Sequence, residues 1–161
     1  MFMGLSTFTW VHTLLSLVGI VSGLVVLKGV FSSQRLDGWT ALFLASAVAT
    51  SVTGFFLPAD HLLPSHVVGV ISLVALAFAI FARYGRHLAG AWRWIYAVGA
   101  MIALYFLLFV GVAQLFAKVP ALHVLAPTQA EPPFAIAEGT LLLLFLVLTI
   151  VAAIKFRPGP A

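Results

Sequence analysis

His12, His66 and Glu138 are the side chains of this sequence best equipped for chemistry. Imidazole nitrogen and carboxylate oxygen can ligate iron or zinc. Two imidazoles facing each other at one depth can hold a b-type haem. His12 and Glu138 each interrupt a long apolar run, and His66 opens another. An ionisable group in such a run is costly and is a functional candidate by default. No local motif assigns the chemistry: there is no His-Glu-x-x-His and no histidine pair at i, i+4. The chain has no Cys, which removes thiolate metal sites, disulfides and cysteine nucleophiles.

The elements that must position these residues follow from composition. Of 161 residues, 63% are hydrophobic and only 7% charged, with mean hydropathy +1.20. A soluble domain carries about 25% charged residues, so a soluble enzyme, a secreted disulfide scaffold and a disordered tail are excluded. The expectation is an all-α integral membrane protein, residues 1–161 forming a single membrane domain packed as a bundle. About 20 apolar residues cross a bilayer as a helix. The chain offers such runs at about 7–31, 40–57, 64–83, 91–117 and 134–155, hence five transmembrane helices. Continuous rather than alternating apolar runs favour helices over a barrel. Polar turns separate them at 32–38, 58–63 and 83–87, and Asp37 is placed to cap the second helix. A Pro-rich outer loop, 118–133, is the one long connection and a natural partner surface.

Basic residues orient the bundle. With five spans, Lys28, Arg35, Arg83, Arg86, Arg93, Lys155 and Arg157 fall on one side, and only Lys118 on the other. The positive-inside rule then puts the N-terminus outside and the C-terminus in the cytoplasm of a bacterial-type cytoplasmic (inner) membrane, in a multi-pass arrangement. The pI near 10.0 therefore reflects topology and not nucleic acid, and the basic turn at Arg83–His87 reads as orientation and anionic-lipid contact. The first span lacks a preceding basic region and reads as uncleaved.

This topology gathers polar groups in the outer leaflet. His12, Ser51 and Thr53, His66, Gln114 and Glu138 come one level deep from the five spans, with Asp60, His61, His123 and Glu131 in the adjoining loops. His12, Ser16, Gly19 and Gly23 share one helix face, and Gly19-x-x-x-Gly23 allows close helix approach. Aligning His12 with His66, 54 residues on, suggests a duplicated helix hairpin.

Two functions follow as expectations. In one, the layer binds a cofactor. This is haem b between His12 and His66, or a non-haem metal (iron or zinc) held by His12, His66 and Glu138, with His123 and His61 completing the shell and Asp60 and Gln114 beside it. Such a site suits electron transport with a lipid-soluble substrate such as quinone. Through His12 and His66 alone it resembles the quinol-linked membrane cytochromes in outline. In the other, the chain is a non-catalytic accessory or assembly subunit of a larger membrane complex, or a homo-oligomer. Its partner surface is then the outer loop. Membrane lipids are partners under both. Phe55, Phe56, Phe106 and Phe109 are expected to pack or face lipid, and Tyr105 to bury its ring.

Overall fold

A computed structural model describes residues 6–160. It is built from six α-helices, with no strand among the described residues: α1 (Thr7–Phe31), α2 (Asp37–Gly54), α3 (Pro64–Ile80), α4 (Trp92–Lys118), α5 (Pro120–Leu125) and α6 (Pro132–Lys155). A π-turn, Phe81–Gly85, prolongs α3. The Ser6 side chain caps α1 by accepting the Thr9 amide at 3.2 Å. Proline opens α3, α5 and α6, where its missing N–H costs nothing.

Four helices are long and apolar enough to cross a membrane, Thr7–Phe31, Pro64–Gly85, Trp92–Lys118 and Pro132–Lys155, which is the signature of a membrane protein. The fifth expected span, α2, has 18 residues but does not join them. Its ends dilute it: Asp37-Gly38-Trp39-Thr40 at the start and Thr50-Ser51-Val52-Thr53-Gly54 at the close. Two expectations are corrected. The connection 118–133 is not an open loop, because α5 folds within it. Asp37 does not cap α2, since the N-cap is Leu36, in the left-handed region at φ +42°. The Asp37 carboxylate turns instead to Arg83.

The five long helices run alternately up and down. At one end the His12 and Thr53 side chains join the start of α1 to the close of α2, and Phe116 packs edge-on against Phe134 between α4 and α6. At the other end the basic residues gather. Arg83, only 2% exposed, donates to the Asp37 carboxylate and, at 2.9 Å, to the Arg35 carbonyl. Its guanidinium lies 5.3 Å from the centre of the Tyr96 ring. The C-terminal tail closes on the same end. Arg93 donates to the Phe156 carbonyl at 3.3 Å, the Phe156 ring is 5.3 Å from Tyr96, and Ser33 donates to the Lys155 carbonyl at 2.9 Å. Leu88 is buried between these elements, and it and His87 take φ of +59° and +50° to bring it there.

α4 is the central helix: α1, α2, α3 and α6 all pack on it, and its Tyr96, Ala97, Ala100, Met101, Ala103 and Leu104 are almost wholly buried. α2 stands between α1 and α3. The glycine face of α1 makes the expected close approach, since a Cβ on Gly23 would fall 2.6 Å from Leu104 Cδ1 and 2.9 Å from Phe43 Cε2. On α4, a Cβ on Gly99 would stand 2.8 Å from the Ala75 carbonyl oxygen, a backbone atom that cannot swing aside. Gly99→Ala should therefore lower the thermal midpoint of the purified protein, an overpacking cost of about 1–3 kcal/mol. Gly139→Ala, where the added Cβ meets nothing within 4 Å, should leave it unchanged or slightly raised.

Candidate functional site

The end of the bundle opposite Arg83 carries the polar layer. His12 lies one turn into α1, on the face it shares with the glycines, half-buried against α2. Its Nδ1 is 2.8 Å from Thr53 Oγ1. The Thr53 hydroxyl donates its single proton to the Ala49 carbonyl at 2.7 Å. The oxygen can then only accept from His12, so Nδ1 carries the imidazole proton and Nε2 keeps its lone pair. Lys118, at the end of α4, acts on His12 through space.

His66 is the opposite tautomer. The Leu63 amide donates to its Nδ1 at 2.9 Å, and a backbone N–H can only donate. The neutral ring therefore holds its proton on Nε2. The side chain closes the first turn of α3 on itself, and the ring stacks on Phe55, just past the end of α2, at 5.6 Å. Phe55 also fills the space left by Gly69, where a Cβ would come within 3.1 Å of its ring. The two histidines thus stand at one level but serve different helices, with α2 between them. A haem or metal bound by both needs a lone pair from each, and His66 offers one only by releasing Leu63. Their surroundings differ: His12 is tied across helices and His66 within its own turn.

Glu138 is the group without an explanation in its own chain. It sits two turns into α6, 8% exposed, and neither carboxylate oxygen has a hydrogen-bond partner. Tyr105 of α4 is within electrostatic range, in an aromatic cluster with Phe106, Phe109 and Phe145 at 5.3, 6.0 and 5.8 Å. An unpartnered acid in apolar surroundings is costly unless it holds a proton or meets a ligand.

The remaining candidates do not join them. Asp60 and His61 are exposed in the α2–α3 connection, His123 is exposed on α5, and Gln114 faces outward from α4. Among the described residues no three His, Asp or Glu come together as a metal set.

What sequence reasoning missed is the order of the 119–131 connection. Glu131 accepts from the Thr128 hydroxyl at 2.7 Å and from the Thr128 and Ala130 amides. These bonds, the Thr128 hydroxyl foremost, hold its carboxyl below the usual carboxylate range. Gln129, at φ +60°, donates through Nε2 to the Ala113 carbonyl at 2.7 Å and so staples the segment to α4. Ala126 is fully buried beneath it. The signal was present, because Thr128-x-x-Glu131 ahead of an apolar run is the spacing of a capping box.

No family model matches the chain, and no curated protein or solved structure matches it.

The tautomers can be measured directly. In ¹⁵N-histidine-labelled protein at neutral pH, the His12 signals should report a protonated Nδ1 and those of His66 a protonated Nε2. Thr53→Val should release the His12 preference and leave His66 unchanged. Identical tautomers for both rings would contradict this geometry.

Proposed function

We propose that all five long helices span the membrane, N-terminus outside, and that the chain is a non-catalytic subunit docking another membrane protein on its outer connection. The seven basic residues at the Arg83 end support the orientation. α2 lies between two span-length helices, which supports its crossing with them.

The observation that carries the docking role is an ordered segment with apolar tips. Glu131 and Gln129 pin the connection, yet it turns Val124 outward at 77% exposure and Leu125 at 53%. At the same end Leu62 and Phe56 stand 86% and 71% exposed. A rigid surface that leaves large apolar side chains uncovered is a binding surface, and its rigidity lowers the ordering cost of association. Both layer histidines already serve helix packing, which agrees with a structural role. A photo-crosslinking residue at position 124, activated in native membranes, should yield one discrete protein adduct. Val124→Asp should abolish that adduct from a probe at position 125 while membrane insertion is unchanged. Adducts to lipid alone would overturn the proposal.

Glu138 supports a second reading. Its free oxygens, together with the Nε2 lone pair of His12, are the groups that a haem b, an iron or zinc ion or a quinone-like substrate would engage. Under this reading, natively purified protein should show reducible absorption bands or stoichiometric metal, and Glu138→Gln should diminish them. Retention of the full cofactor by Glu138→Gln would remove the carboxylate from the site.

A further inference from the structure

The lipid-facing side of α2 and α3 is cut by an open groove of about 500 Å³. Its floor is Ala41, Ala45 and Ala49, one turn apart on one face of α2, and Ile80 and Tyr84 form the opposite wall. Small side chains at every turn keep the groove open, and its lining is apolar throughout. From Ala41 to Val52 it runs about 16 Å at the helical rise. That is close to one leaflet, half of a hydrocarbon core about 30 Å thick. The groove begins one turn from Asp37.

At that end the charges are not balanced. Arg83 and Arg35 both approach the single Asp37 carboxylate, Arg35 Nε at 3.7 Å. Two guanidiniums on one carboxylate leave a net positive charge. Nη1 of Arg83 and Nε of Arg35 are buried with no hydrogen-bond partner, a costly state for a cationic donor. Tyr84 connects the two features: its ring lines the groove and lies 5.9 Å from the Arg83 guanidinium. Arg86, stacked over Trp92 at 5.5 Å, adds positive charge on the same turn.

We infer that this groove is a binding site for an anionic phospholipid, one acyl chain lying along Ala41, Ala45 and Ala49 and the phosphate held at the Arg35–Arg83 end. The phosphodiester oxygens supply acceptors for guanidinium donors, in the charge-assisted geometry that arginine favours. The net positive mouth repels the cationic headgroup of a zwitterionic lipid. Arg35, partly exposed, makes the contact. Arg83, sealed within the bundle, contributes charge. The inference rests on reading these helices as spans and is independent of any partner at the outer end.

The test is native mass spectrometry of the protein in mild non-ionic detergent, with an equal mixture of phosphatidylglycerol and phosphatidylcholine of identical chains. The first retained lipid should be phosphatidylglycerol, by about tenfold, because both lipids offer the phosphodiester but only the choline headgroup is repelled by the positive mouth. Arg35→Gln should reduce that preference to near parity. Ala45→Phe, which fills the groove, should reduce retention of both lipids. Circular dichroism and resistance of the membrane-bound protein to alkaline extraction should be unchanged in both variants, and loss of the latter in the parent chain would refute the spans instead. Equal retention of the two lipids by the parent protein, or undiminished binding by Ala45→Phe, would overturn the site. So would a lipid-free dimer that Ala45→Phe dissociates, which would give the groove to a second copy.

Discussion

A guanidinium enclosed beside hydrocarbon survives only where its charge is answered, and Arg83 is enclosed almost completely. The answer is assembled from distant parts of the chain. Asp37 and the Arg35 carbonyl come from the α1–α2 turn, and the Tyr96 ring from the first turns of α4. Each contact answers part of the arginine's charge, with Nη1 left unbonded, and also fixes where a helix begins or ends. Leu36 takes a left-handed conformation that a branched side chain ordinarily avoids, because that bend delivers Asp37 to the guanidinium. The tail adds Phe156, packed against Tyr96. The basic end is therefore a polar knot around which the helices are registered.

Away from that knot the bundle is held by close approach rather than by polar bonds. Lipid provides no hydrophobic drive for one helix to prefer another, so contact depends on small residues that admit neighbours. Gly19 and Gly23 admit Leu107, Leu104 and Phe43; Gly99 admits the backbone of α3. Buried hydroxyls do not bridge helices here as much as they turn inward on their own. Ser22 bonds Val18 and Ser46 bonds Leu42, each at a carbonyl one turn back. Two reach another helix: Ser51 donates to the Ser72 hydroxyl of α3 at 3.4 Å, and Thr53 meets His12 and thereby sets its protonation.

The spans and their limits were legible because bilayer thickness and apolar run length are the same constraint stated twice. Thus α1, α3, α4 and α6 lie within a few residues of the runs that announce them. The glycine face of α1 was legible for a related reason, since helical spacing alone puts Gly19, Gly23 and His12 together. The candidate site was not. Whether a histidine presents a lone pair or a proton depends on its neighbour, and neither Thr53 nor the Leu63 amide is marked in the sequence as that neighbour. Arg83 was read as a surface charge because a basic turn looks the same whether its arginine faces lipid headgroups or a carboxylate 46 residues away. The prolines of 118–133 suggested an irregular loop, although Pro120 is well placed to start a helix and does so.

The place of α6 in the bundle has a consequence for biogenesis. Helices α1 to α4 close on one another in chain order, each beside its predecessor, and α4 returns to α1. α6 comes last, packs chiefly on α4, and leaves most of its own surface uncovered. Because synthesis runs from the N-terminus, the first four helices can complete their contacts before the last leaves the ribosome. Order of synthesis and order of assembly then coincide. The final helix settles on a finished surface, bringing with it the carboxyl of Glu138 for which that surface holds no partner.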